Sequence, residues 1–229
     1  VEAFGLVSHE RVINPEFSVA AAERIAAALR EAVAERGSAS LALAGGNTPR
    51  PVYEKLATLD VPWERVHVYF GDERCVEPDD AQSNYRAARE ALLDQVPVGR
   101  VLRMEAERED REWAADDYAA LLPEALDVLL LGMGADGHTA SLFPGHAALE
   151  ERERKVVPVE GPKPPPWRLT ITAPVIAAAR QVFVLVTGAG KAQTVAQVLG
   201  AAEPVAEFPI RLARHGVWFL DPAAAGALT

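Results

Sequence analysis

The 229 residues are enough for one large α/β domain spanning 1–229, and too few to make a second full domain expected. Hydrophobic residues at 49 % and charged residues at 24 % mark an ordinary globular chain and exclude a disordered one. A net charge of −10 argues against a nucleic-acid or anionic-membrane partner, and the one cysteine, Cys75, excludes an internal disulfide and fits a reducing cytoplasm.

No apolar run of about 18 residues and no basic-then-apolar leader is present, so neither a membrane span nor a signal peptide is expected. A first strand is predicted over 2–8. Ser18 is placed to cap an Ala-rich helix that runs to Arg36, carries Ile25, Leu29 and Val33 on one face, and stops at Gly37. A buried strand over 41–44 then breaks at Gly45-Gly46-Asn47-Thr48-Pro49. With Thr48 as cap and Pro49 as first helical residue, a helix is predicted through Val52, Tyr53 and Leu56.

Residues 66–70, rich in β-branched and aromatic side chains, read as a strand ending in Gly71-Asp72-Glu73-Arg74. A polar loop leads to Ser83, which caps a helix bearing Ala87, Leu92 and Leu93. A short strand over 101–103, a helix over 109–122 with an acidic first turn, and an apolar strand over 127–132 follow. Beyond Pro144 the pattern predicts strands over 156–159 and 169–171 around a proline-rich segment, 161–166, then a short helix opened by Thr172 and Pro174. A buried strand over 181–187, a helix from Gly188-Ala189-Gly190-Lys191 to Gly200, a last helix over 209–214 and a last strand over 217–220 complete the chain. Strands and helices alternating at roughly 30-residue intervals imply repeated βαβ units, hence an open, mostly parallel sheet with helices on both faces.

In such sheets ligands bind outside the carboxyl ends of the strands, and the chemistry-bearing residues collect there. After the strand over 127–132 come Gly132, Gly134 and Gly137 with Asp136, His138, Thr139 and Ser141. The glycines match G-x-G-x-x-G, but a dinucleotide site needs a long helix directly behind them, and Pro144-Gly145 cuts any such helix short. An imidazole titrates near neutrality, so His138 is either a general base oriented by Asp136 or a histidine that caps the next turn. His138 and His146 lack ligand spacing for a metal and have no cysteine pair beside them.

Gly45-Gly46-Asn47-Thr48-Pro49 is either a phosphate cradle of backbone amides and the Thr48 hydroxyl or an ordinary βα turn. Gly188-Ala189-Gly190-Lys191 fails the P-loop spacing, which disfavours nucleotide hydrolysis; Lys191 is a phosphate contact or a solvated lysine. Asp72 and Arg74 touch substrate or pair with each other, and Arg168 is ambiguous in the same way. Arg50, Arg74, Arg168, Lys191 and Arg211 all fall near loops or element ends, the local cations that an anionic small molecule would require of an acidic chain.

Taken together, Gly45-Gly46-Asn47-Thr48-Pro49, Gly71-Asp72-Glu73-Arg74, Ser83-Asn84-Tyr85, the segment 132–144 and the segment 168–174 resemble the 6-phosphogluconolactonase family in order along nearly the whole chain. The run GADGHTASLFPG is the most specific of these. The resemblance implies a modified Rossmann-like single domain and hydrolysis of 6-phospho-D-glucono-1,5-lactone without a cofactor. It implies His138 as general base supported by Asp136, with Arg74 and Asp72 in the same site. Gly45, Gly46, Asn47, Thr48, Arg168 and Lys191 are implied to hold the 6-phosphate; Asn47 stands where serine is more usual, which leaves that position its backbone amide. The partner implied is a small sugar-phosphate lactone, with no nucleic acid and no membrane, and the protein is expected to be a monomer or small homo-oligomer.

The similar glucosamine-6-phosphate deaminases continue after the histidine with an asparagine and a glutamate and carry a tyrosine in the place of Arg74. Ser141-Leu142-Phe143-Pro144 supplies neither. A non-catalytic sugar-phosphate sensor is the reading from another class, and the DNA-binding domain such sensors usually carry is not expected before Glu2.

Overall fold

The computed structural model describes residues 10–200 and 204–228, so the strand predicted over 2–8 lies outside the described residues. In chain order the elements are β1 (Arg11–Ile13), α1 (Phe17–Arg36), β2 (Ala39–Leu43), α2 (Arg50–Leu56), β3 (Val66–Phe70), β4 (Asp72–Arg74), α3 (Asn84–Ala88), β5 (Arg100–Val101) and α4 (Arg111–Leu121). They continue with β6 (Val128–Gly132), β7 (Val156–Glu160), β8 (Trp167–Ile171), α5 (Ala173–Ala178), β9 (Gln181–Val186), α6 (Ala192–Leu199) and β10 (Val217–Leu220).

A seven-stranded sheet runs in the order β1-β10-β9-β6-β2-β3-β5 with every neighbouring pair parallel. Side chains alternate across it and so build two cores. Leu41 and Leu43 of β2, Val128 and Leu130 of β6 and Phe183 and Leu185 of β9 pack with α1 and α2. Ala42, Leu129, Leu131, Val182, Val184 and Val186 face the opposite layer, with α4, α5 and α6. Near-continuous apolar runs in the sequence are the direct consequence of burying both faces of one strand.

The strand order reverses between β2 and β6. From β2 the chain proceeds to β3 and β5 on one side, and from β6 to β9 and β10 on the other. At the amino ends the two central strands are tied: Ser40 donates to Asp127 Oδ2 through N at 2.8 Å and Oγ at 2.9 Å, and Arg36 bridges Asp127 Oδ1 at 2.9 Å. The only residues of β2 and β6 in register are Leu41 with Val128 and Ala42 with Leu129, so the chains diverge toward their carboxyl ends. That divergence opens a crevice where such a fold binds ligands.

Three expectations are corrected. Asp72–Arg74 is not loop but the first strand of a second, antiparallel sheet of order β4-β8-β7, a tertiary pairing that local sequence does not announce. Ser18 lies inside α1, whose start at Phe17 has Glu16 in the cap position without a side-chain cap bond. Thr48 does not cap α2, since its hydroxyl is 3.0 Å from that of Thr187 and Pro49 occupies the cap position. Ser83 does cap α3, accepting from Arg86 N at 3.1 Å, and Gly37 closes α1.

Candidate active site

Loops after β2, β3, β6 and β9, with β4 and β8, enclose one cleft. Gly45, Gly46, Asn47, Thr48, Asp72, Arg74, His138, Arg168 and Lys191 all line it, and Asp136 stands behind His138 as that ring's hydrogen-bond partner. The sequence-predicted site residues are therefore brought together.

His138 is held by a tight turn of its own loop. Gly137 N donates to Gly134 O at 3.0 Å and Gly134 N to His138 O at 2.9 Å. The ring Nδ1 is 2.5 Å from Asp136 Oδ1, which also accepts from His138 N at 3.2 Å. With Nδ1 engaged by a carboxylate, the neutral ring carries its free lone pair on Nε2. Burial pushes the Asp136 carboxyl up, but the His138 hydrogen bonds and charge and the Lys163 ammonium outweigh it, and the carboxyl is held below its ordinary range. The Phe143 ring lies 5.0 Å from the imidazole. Thr194 of α6 steadies the same loop by donating to Ala135 O at 2.8 Å.

Arg74 and Arg168 are register partners across β4 and β8, so both guanidinium groups rise from the same face. Arg74 donates through N to Glu73 Oε1 at 2.7 Å and through Nη1 to Gln82 O at 2.6 Å. Arg168 donates through Nη2 to Lys163 O at 3.4 Å. Each retains a buried Nε with no partner among the described residues. Unsatisfied donors on two neighbouring cations suit the anionic groups of a ligand. Burial, with Arg74 adding to it against the attraction of Asp72, holds Arg168 below the usual arginine range.

Asp72 is buried, accepting from Ser141 Oγ at 2.7 Å on Oδ2 and from Asn84 Nδ2 at 3.1 Å on Oδ1. Pinned by two donors, it presents negative charge to Arg168 and braces the loops after β3 and β6 against each other. Glu73, its neighbour in β4, is a brace as well: Oε1 accepts from Arg74 N and Asn84 N, both at 2.7 Å, while Oε2 accepts from Tyr85 N at 2.8 Å and Ser83 Oγ at 3.1 Å. Burial pushes the Glu73 carboxyl up against the pull of those backbone donors.

At the other side of the crevice, Lys191 ends the turn that leads into α6. Burial lowers it from the usual lysine range, partly offset by Asp221. Asn84, Glu73 and Lys163 are the site residues that residue-by-residue reading misses, and Ser141, read there only as a polar group at a strand end, proves to hold Asp72. Asn84 stands out in the sequence only within the Ser83-Asn84-Tyr85 resemblance; the others act through the second sheet and its loops, which no local pattern predicts. Among the described residues no group of three or more His, Cys, Asp or Glu side chains is arranged around a metal position, and no helix is long and apolar enough to cross a membrane.

The family model described as glucosamine-6-phosphate isomerases/6-phosphogluconolactonase matches residues 14–219. The chain is similar to the 6-phosphogluconolactonase of Synechocystis sp., at 40 % identity over 211 residues, covering 86 % of this chain and 87 % of the relative. It is also similar to that of Rattus norvegicus, at 39 % identity, covering 85 % and 82 %. Among solved structures it matches the 6-phosphogluconolactonase from Trypanosoma brucei with a TM-score of 0.84 and 31 % identity, over 97 % of this chain and 99 % of that one.

Proposed function

The chain belongs to the glucosamine-6-phosphate isomerase/6-phosphogluconolactonase family, and from that premise we propose that it hydrolyses 6-phospho-D-glucono-1,5-lactone to 6-phosphogluconate in the oxidative pentose phosphate pathway. The observation that carries the reading is the Asp136–His138 pair sharing one cleft with Arg74, Arg168, Lys191 and Thr48. A base and an anion grip within one cleft suit a small phosphorylated ester. One cysteine and an acidic composition suit an enzyme of the cytoplasm.

In the proposed mechanism His138 Nε2 takes a proton from water as its oxygen bonds to C1 of the lactone. The carbonyl oxygen becomes an oxyanion, stabilised by the Arg74 guanidinium. Collapse breaks the bond between C1 and the ring oxygen, and the imidazolium returns its proton to that oxygen, which leaves as the C5 hydroxyl. Asp136 keeps the imidazole oriented and stabilises its charged form between the two transfers. Arg168, Lys191, the Thr48 hydroxyl and the amides of Gly45, Gly46 and Asn47 hold the phosphate. The segment after His138 contributes no carboxylate: Ser141, Leu142 and Phe143 are buried, and Ser141 is bonded to Asp72. That disfavours the ring-opening and deamination chemistry of the other branch of the family.

A pH-stat assay with freshly made lactone, corrected for spontaneous opening and run beside glucosamine 6-phosphate, tests the reading. Acid release above the spontaneous rate with the lactone and no ammonia from the amino sugar is expected. Ammonia release, or no acceleration of lactone opening, overturns it.

A further inference from the structure

Asn84 lines the cleft while only 3 % exposed. Its Nδ2 faces two acceptors, the Asp72 carbonyl oxygen at 2.9 Å and Asp72 Oδ1 at 3.1 Å. Only the NH2 end of an amide can satisfy two acceptors, so the identity of the other end is fixed as oxygen. That Oδ1 lies over the Cα of Gly45. A β-carbon at position 45 would stand 2.0 Å from Oδ1, 2.3 Å from Cγ and 2.5 Å from Nδ2, so the loop passes the amide only because residue 45 has no side chain. No protein donor among the described residues reaches Oδ1. The residue is held rigidly, since its own N donates to Glu73 Oε1 at 2.7 Å and Ser83 caps the turn it begins.

A fixed acceptor in the wall of a cleft, engaged by no donor among the described residues, calls for a donor from the ligand, because a ligand that expels the cleft's water and leaves the acceptor unpaired loses binding energy. Phosphate and carbonyl oxygens have no proton to give it. The hydroxyls of a sugar ring do. We propose, resting on the lactonase reading above, that Asn84 is a specificity-determining contact: Oδ1 accepts a hydrogen bond from one of the ring hydroxyls at C2 to C4, while Nδ2 holds Asp72. A sugar lacking that hydroxyl leaves the acceptor unpaired and is rejected. Gly45 then has two tasks, an amide toward the phosphate and an open face toward Asn84.

The test compares 6-phosphogluconolactone with its 2-, 3- and 4-deoxy counterparts on the wild type, Asn84→Ala and Asn84→Ser. The wild type is expected to lose about 10- to 100-fold in kcat/KM on one of the deoxy lactones. In both variants that same deoxy penalty shrinks to about 2-fold or less, the signature of a removed pairwise contact. Asn84→Ser keeps a hydroxyl beside Asp72 and serves where Asn84→Ala does not fold. The proposal is overturned if the variants lower kcat/KM equally on all four lactones, which means Asn84 acts only by holding Asp72, or if they change none. Calorimetry with 6-phosphogluconate and its deoxy analogues repeats the comparison without turnover. A wild type that binds these products with the expected discrimination yet hydrolyses no lactone overturns the lactonase reading and leaves the Asn84 contact standing.

Discussion

A methyl group on Gly134 would stand 2.1 Å from His138 Nδ1 and 2.5 Å from Asp136 Oδ1. The glycine that opens the loop after β6 is therefore the floor on which the imidazole and its carboxylate meet. Gly134→Ala is expected to force the pair apart and to cost on the order of 10²–10⁴-fold in kcat, like loss of an acid–base group. The backbone at this position is not left-handed, so the fold itself should survive, and thermal unfolding read beside steady-state kinetics separates the two effects. A Gly134→Ala enzyme with wild-type kcat would mean that the pair is not needed for turnover.

His138→Ala is expected to lower lactone hydrolysis on the order of 10²–10⁴-fold while leaving phosphate binding nearly intact. Asp136→Asn probes the same pair from behind, with an expected loss on the order of 10–10³-fold, because Nδ1 loses the acceptor that fixes its tautomer. Since the Asp136 carboxyl is held below its ordinary range, it stays ionised throughout the working range, and Asp136→Asn removes a charge that is present at every working pH. The loss in kcat/KM should therefore appear across the whole working range, and a variant with wild-type kcat/KM argues against Asp136 as the partner in solution.

Lys191→Ala is expected to raise KM for the phosphorylated lactone and hardly affect gluconolactone itself. Burial lowers this ammonium from the ordinary lysine range, so it loses its proton earlier on the alkaline side. Binding of 6-phosphogluconate, measured by calorimetry to avoid spontaneous lactone opening, should therefore weaken with rising pH sooner than an ordinary lysine would produce, and the Lys191→Ala protein should show no such limb. Equal effects on both lactones would put Lys191 away from the phosphate.

What the sequence made legible is what depends on local periodicity. β3 and β10 have the predicted bounds, and α1, β6 and β9 differ from prediction by only a residue or two, because each is a long apolar or amphipathic run with a clear stop. The cleft was legible because glycine-rich breaks at strand ends mark where backbone and ligand approach. The second sheet was not. Asp72–Arg74 has no apolar alternation, and becomes a strand only by pairing with Arg168–Thr170, nearly a hundred residues on. The same long-range pairing sets Arg74 beside Arg168 and puts Asn84 and Ser141 on Asp72. A contact between distant loops leaves no period in either one.

Lys163 provides the last prediction. Its Nζ is 3.9 Å from Asp136 Oδ2, on the far side of the carboxylate from the imidazole, and its backbone oxygen is fixed by Arg168 Nη2 at 3.4 Å. The charged and titratable groups around the His138 ring are Asp136 on its own loop, Lys163 on the proline-rich segment, Arg168, Asp72 and Arg74 on the second sheet, and Lys191 before α6. Of these, Lys163 is the cation in contact with Asp136. That ammonium is one of the charges that hold the Asp136 carboxyl below its ordinary range, so Lys163→Met should let the carboxyl take up a proton sooner as pH falls and move the acid limb of kcat/KM to higher pH, the direction that a pH profile checks. Activity above the limb should change little, and Lys163→Arg should restore the wild-type profile. Because the pair is exposed to solvent, added salt should carry the wild-type limb toward that of the variant. The backbone bond to Arg168 survives either substitution, so a uniform loss of kcat/KM at every pH would reveal a structural effect instead of an electrostatic one.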